Sequence, residues 1–340
     1  MRKFLQWLLT KPIVWLNNTM ASAPGRDAVF ESLSILHKNS QDKKNKQVLV
    51  LPFTPESAKF IIFSDQHKGN GTWADDFKAC SNNYCSALNH YNSQGYTLIN
   101  MGDSEELWKF KMNDIVKVHH ETFVAEAAFH PNRYIKTFGN HDITWKNKMD
   151  VSMHFKDYFK MPLPVYEGIV LRHQHKKTTF DILLTHGHQG DRMSDNNALS
   201  TWLVAHIWMP VQRYLRINPN SPRTDSNLRN QHNKMMYEWS AAQKNLLLIT
   251  GHTHQPVFAA GKYFNHPSNN IPTGLPGEAH KPTYFNSGCC CLNDGDITGI
   301  EIADGYIRLI KWYDEEIQSK RKVLEEISFS VLLKDIGIHD

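Results

Sequence analysis

The sequence predicts an α/β chain, mixed in the α+β sense: a four-layer α/β/β/α sandwich of two facing mixed sheets with flanking helices and an inserted helical cap. Three observations carry this. Five short apolar runs each end at once in a polar loop rich in Asp, Asn or His, as at Phe60-Ile61-Ile62-Phe63 before Ser64-Asp65-Gln66-His67. Strand-like and helix-like stretches alternate through the first half, the signature of βαβ units and a mostly parallel sheet. The second half changes to hairpins, with Asp304-Gly305 between two alternating runs, a strong hairpin signal. Two sheets face to face with helices outside is the economical way to bury all of these.

Residues 1–47 form an expected N-terminal helical extension. Arg2 and Lys3 precede Phe4, Leu5, Trp7, Leu8 and Leu9, and Ala21-Ser22-Ala23 follows, a faint likeness to a signal peptide. Gln6 and Lys11-Pro12 interrupt the apolar run, which falls short of the ~20 residues of a membrane span. A helical arm is the expectation, and a peripheral membrane contact the second reading, because Trp7 and Trp15 flank the leucines. Residues 26–37 read as a short helix and the lysine-rich 39–46 as a linker. The main domain is expected over 48–314, with helices over 74–92 and 114–129. A hairpin pairs 169–172 with 178–185. The connection from His186 to His252 is too long for a simple loop. Leu199, Leu203, Ile207, Val211 and Leu215 recur at i+4 there, Pro210 splits the helix, and a second helix covers 227–245, so a helical cap is expected over about 192–244. A second hairpin pairs 298–302 with 306–310. A C-terminal helical tail is expected over 315–340, with its helix at 320–333.

The chain has 340 residues and a formal net charge of +4, too small to demand a nucleic-acid partner. Five cysteines without C-x-x-C spacing, three of them consecutive at Cys289, Cys290 and Cys291, read as buried small residues in a reducing compartment, so the expected location is cytoplasmic.

The polar loops carry the chemistry. Gly251-His252-Thr253-His254 closes the apolar run 245–250. Two histidines one residue apart at a strand end reach two neighbouring metal ions, and imidazole suits Zn, Fe and similar ions. Asp65-x-His67, Gly102-Asp103-x-x-Glu106, Gly139-Asn140-His141-Asp142 and Thr185-His186-Gly187-His188 end the other four runs. In an open α/β sheet, ligands gather outside the carboxyl ends of strands. Asp75 and Asp76 read as helix-capping residues, and Gln66, Lys68 and Asn70 as solvated loop residues.

The five blocks together, in this order, resemble the calcineurin-like metallophosphoesterase family. The motifs span Asp65 to His254, and the departure is Glu106, where many relatives have Asp. The resemblance implies two divalent metal ions, drawn from Mn, Fe, Zn or Co. One takes Asp65, His67 and His254, the other Asn140, His186 and His252, and Asp103 bridges both. It further implies hydrolysis of phosphate mono- or diesters by a metal-bridging hydroxide, with His141 assisting the leaving group and Asp142 orienting His141. His186 is preferred over His188 as ligand because it follows its apolar run immediately. The expected partner is a phosphorylated small molecule. One alternative is a nuclease, for which Trp108, Lys109, Lys111, Trp145, Lys146 and Lys148 supply aromatic and basic contacts. Another is a pyrophosphatase of the UDP-diacylglucosamine type, which is similar in the G-D-x-x-E and G-H-T-H blocks but usually carries Arg where this chain has His141. Oligomeric state is not read from the sequence.

Overall fold

Side chains alternate direction along a strand, and here the alternation sorts the apolar residues into three buried clusters. In the strand Lys59–Phe63 (β2), Ile62 joins a cluster between two sheets while Ile61 and Phe63 join one on the outer side. In the strand Leu246–Thr250 (β8), Leu247 and Ile249 face between the sheets and Leu246 and Leu248 face the opposite outer side. The computed structural model describes residues 25–175, 178–190, 226–264, 281–316 and 318–338.

In chain order, helix Arg26–Asn39 (α1) is followed by strand Val48–Pro52 (β1), β2, and helix Ser81–Ser93 (α2). Then come Thr97–Met101 (β3), Met112–Val118 (α3), His120–Ala127 (α4), Tyr134–Thr137 (β4) and Lys148–Phe159 (α5). Val165–Tyr166 (β5), Gly168–His175 (β6) and Thr178–Thr185 (β7) precede helix Ser226–Ala242 (α6), β8, Val257–Phe258 (β9) and Tyr284–Asn286 (β10). Ile297–Ala303 (β11), Tyr306–Glu315 (β12), Gln318–Ser328 (β13) and helix Phe329–Asp335 (α7) complete the described chain.

One sheet has six strands in the order β1-β6-β7-β8-β10-β9, and the other has seven in the order β13-β12-β11-β2-β3-β4-β5. Strands β2 to β5 run parallel, as do β7, β8 and β10, so their carboxyl ends share an edge. Helices α2 to α5 cover the outer face of the seven-stranded sheet through Tyr84, Leu88, Tyr91, Phe123 and Phe155. Helices α1 and α6 cover the six-stranded sheet through Val29, Leu33, Leu36, Met236 and Trp239. This is the expected four-layer sandwich.

Several element boundaries differ from expectation. The helix expected at 320–333 is strand over most of its length: 320–328 lie in the long edge strand β13, paired with β12 from Tyr306↔Ser328 to Glu315↔Gln318, and only 329–333 are helical, in α7. Its Lys, Glu and Leu content favours a helix, but the hairpin partner overrides propensity. The sheet therefore continues past Asp314, and α1 packs on the sandwich rather than standing outside it. The helix expected at 114–129 is two helices, α3 and α4, broken at His119, whose ring turns inward to Asp75 (Nε2 to Oδ2 2.8 Å). The helix expected at 74–92 starts at Ser81, because Asp75 caps no helix and instead accepts the backbone N–H groups of Gly69, Gly71 and Phe77. Most of the expected cap, and the N-terminal arm, lie outside the described residues. The part that is described, α6, is a sandwich layer with Met236 and Trp239 buried. No helix among the described residues is long and apolar enough to cross a membrane.

Candidate metal centre

Five backbone positions at the shared strand-end edge are left-handed: Asp65 (φ 55°), His67 (49°), Asp103 (50°), His252 (65°) and His254 (56°). They account for most of the nine positive-φ non-glycine residues among those described. Such conformations cost of order 1 kcal/mol or more each and concentrate where function overrides comfort. Here they turn side chains back across the ends of β2, β3 and β8. Glycines make room: a Cβ on Gly251 would strike Ser64 Oγ and Asp65 Oδ2, and one on Gly139 would strike Asp103 Oδ1 and the His186 ring.

The side chains converge in two groups. On one side, His254 Nε2 lies 3.3 Å from Asp65 Oδ1 and 3.1 Å from His67 Nε2. On the other, Asp103, His186 and His252 place ligand atoms within 4.8 Å of one another. Asp103 Oδ2 lies between the groups, 3.2 Å from His186 Nε2, 3.7 Å from His67 Nε2 and 4.0 Å from His141 Nε2. Asn140 follows Gly139 and precedes His141, whose N–H donates to Asp103 Oδ1 at 2.8 Å.

The donor set fits divalent cations. Asp65 Oδ1, Asn140 Oδ1 and His186 Nε2 are buried without a hydrogen-bond partner. The His186 Nδ1–H donates to the Met101 carbonyl at 3.1 Å, so Nε2 is the ring atom that faces Asp103. A carboxylate oxygen and a ring nitrogen at this range need a proton or a cation between them, and a cation would also satisfy the asparagine carbonyl. The carboxylates and imidazoles shift one another strongly. Burial opposes charge on Asp103, but His186 and His141 outweigh it and hold the carboxyl far below the usual carboxylate range. Burial likewise opposes charge on Asp65, and His254 and His186 hold it low. Burial disfavours charge on His186, yet Asp103 and Asp65 lift it to about 9. His252 is pushed well down, by burial first and then by His186 and His232, so it stays the neutral imidazole that metal ligation requires.

Around this centre, the sequence missed several contacts. Asp142 does not reach the His141 ring. Its carboxylate turns inward to accept the N–H groups of Asp103 (3.2 Å), Ser104 (2.9 Å) and Gly139 (2.6 Å), pinning two ligand loops together. The residue that orients His141 is Glu106, with Oε1 2.8 Å from Nδ1, and its Oε2 lies 3.2 Å from His67 Nδ1. Trp108 stacks on the other face of His141 at 3.9 Å between ring centroids. The G-D-x-x-E spacing was the available signal for Glu106; Trp108 stood out in the sequence only as an aromatic contact for nucleic acid, not as a partner of His141. His188 is buried beside His186, and burial followed by the His186 charge lowers it to about 3. From α6, the His232 ring approaches His252 at 5.2 Å and Asn233 Oδ1 accepts from Thr253 at 3.1 Å. Lys68 is fully buried, not solvated, and bridges Glu126 (2.7 Å) and Glu105 (3.3 Å). Lys136 and the Trp145 indole N–H also bind Glu105.

A two-sheet sandwich that brings carboxylates and imidazoles together at one strand-end edge is the scaffold of a metal-dependent phosphoesterase. Residues 58–256, more than half of the chain, match the family model described as calcineurin-like phosphoesterase, and the chain belongs to that family. Comparison with the curated proteins finds no match. Similar solved structures include Vacuolar Protein Sorting 29 from Cryptosporidium parvum, at 11% identity and TM-score 0.34, covering 80% of this chain and 98% of that one. A single mutant of Vps29 from Entamoeba histolytica gives 13%, 0.31, 80% and 99%. A dimetal phosphatase from Danio rerio gives 6%, 0.38, 80% and 98%.

Proposed function

We propose that this protein hydrolyses phosphate mono- or diesters, with Asp65, His67 and His254 toward one divalent cation, Asn140, His186 and His252 toward a second, and Asp103 shared. Manganese, iron, zinc and cobalt all suit this donor set. When bound, such ions supply Lewis acidity toward phosphoryl oxygens and make water a stronger acid. The observation that carries the reading is the set of buried atoms without a hydrogen-bond partner on Asp65, Asn140 and His186.

The chain's own residues supply the rest. Glu106 and Trp108 fix the His141 ring so that Nε2 faces the shared carboxylate side of the site. A proton at that nitrogen is placed for a departing ester oxygen. The nucleic-acid alternative has fewer contacts than its sequence suggests. Trp145 is 1% exposed, and Lys109 is bound to Asp76 and Glu106.

The test is divalent-dependent turnover of a phosphomonoester and a matched phosphodiester by wild type and His141→Ala. His141→Ala should keep its metals and lose about 10²–10⁴-fold in kcat on an alkyl phosphate, with a smaller loss on an aryl phosphate. Equal alkyl phosphate turnover would remove His141 from the mechanism. Metal-independent or absent turnover of both esters would refute the reading.

A further inference from the structure

Three imidazoles of the centre have an outer partner of ordinary strength: His186 has a backbone carbonyl, while His67 and His141 share the Glu106 carboxylate. His254 is different. Its Nδ1 lies 3.3 Å from the sulfur of Cys291, which is fully buried behind the partly buried ring. Sulfur is a weak acceptor. For His254 Nε2 to present a lone pair toward Asp65 Oδ1, the ring proton must sit on Nδ1 and point at that sulfur.

The cysteine run explains how the thiol arrives there. Residues 289–291 pass beside the end of β2, where the Cys290 N–H donates to the Asp65 carbonyl at 3.2 Å. The chain bends at Cys290, so neighbouring thiols meet different surroundings. Cys290 belongs to the outer core cluster, with its sulfur 3.9 Å from the Thr298 carbonyl, whereas the Cys291 sulfur meets the His254 ring at the metal edge. The thiol stands behind His254, on the ring nitrogen opposite the one that meets Asp65.

We infer that Cys291 is the positioning residue of His254, and that its sulfur makes this imidazole the most weakly held ligand of the Asp65–His67–His254 cation. The inference rests on the proposed ligand assignment. Metal-ligating histidines owe much of their orientation and basicity to the outer partner, and its loss typically costs 10–100-fold in metal affinity.

Cobalt(II) titration of the full chain, read by visible absorption and by bound-metal stoichiometry, tests it. Cys291→Ala should weaken one of two cobalt affinities by about 10–100-fold and leave the other unchanged. Cys291→Ser places an oxygen acceptor there and should bind at least as tightly as wild type. It carries the test alone if the alanine variant does not fold. Cys290→Ala removes an identical thiol facing the core and should change neither affinity. Wild-type affinity in Cys291→Ala, weakened binding in Cys291→Ser, or an equal loss in Cys290→Ala would each overturn the inference. So would a thiolate-to-cobalt charge-transfer band in wild type, since Cys291 would then be a ligand itself. A wild-type chain that binds no cobalt would instead refute the ligand assignment beneath it.

Discussion

Replacing Glu106 by glutamine keeps the side chain's size and removes one of its two acceptors. The carboxylate accepts from His141 Nδ1 at 2.8 Å and from His67 Nδ1 at 3.2 Å, and it is fully buried. Glutamine accepts from one ring and must turn its amide N–H toward the other. If that ring is His67, the imidazole proton moves to Nε2, the atom 3.1 Å from His254 Nε2 and 3.7 Å from Asp103 Oδ2. A proton then sits where a cation belongs, and metal affinity falls by about 10–100-fold, or about 1.4–2.8 kcal/mol. If the ring is His141, Nδ1 must accept rather than donate, the ring loses the charged form that gives up an Nε2 proton readily, and kcat falls by about 10²–10⁴-fold, or about 3–5 kcal/mol. Lys109 keeps its second partner, Asp76, so the fold should survive. Bound-metal stoichiometry and kcat, measured at matched circular dichroism, separate the two outcomes. A Glu106→Gln protein with full metal content and kcat within about threefold of wild type would refute the dual role.

Asp103→Asn should abolish turnover and weaken retention of both ions, with an unchanged circular dichroism spectrum, because it neutralises the oxygen shared by His67, His141 and His186; a fully active variant would exclude the bridging assignment. Gly139→Ala should displace Asp103 and the His186 ring and lower metal retention, as measured by stoichiometry after dialysis. Glu105 tests the buried network behind the site. Burial raises its carboxyl, but Lys136 and Lys68 overcome that and bring it to about 2. A carboxylate depressed on folding stabilises above its unfolded value of 4.5 and loses that contribution as the pH falls through about 2. Glu105→Gln should therefore cost about 3–5 kcal/mol at neutral pH. The gap to wild type should narrow below about pH 4.5, as denaturant unfolding across pH would show. A gap that stays constant down to about pH 2 would refute this.

The strand-end blocks were legible because each couples a short apolar run to ligand-type residues with no intervening sequence. His186 and His254, far apart in the chain, needed only that local pattern. What required a second element was not legible. Asp142 stands next to His141 and offers itself as its partner, but its carboxylate is drawn to three backbone N–H groups that no linear pattern reveals. Glu106, on another loop, takes the place instead. Lys68 reads as a loop lysine until Glu105, Glu126 and the ring of Phe123 close around it. Strand β13 was hidden by composition, since only its pairing with β12 distinguishes it from a charged helix. Cys291 was hidden in a run of three cysteines, and only the fold brings its sulfur to His254.

The candidate ligands divide between the two sheets. Asp65, His67, Asp103 and Asn140 follow β2, β3 and β4 of the seven-stranded sheet, whereas His186, His252 and His254 follow β7 and β8 of the six-stranded one. The centre is thus a seam, and the spacing across it is set by the apolar layer between the sheets, where Ile62, Ile99 and Met101 meet Leu184, Leu247 and Ile249. Trimming or enlarging a side chain in that layer changes the gap between two half-sites. Interior packing in this protein is therefore a determinant of ligand distance, and an apolar substitution touching no polar atom should register in metal affinity before it registers in the fold.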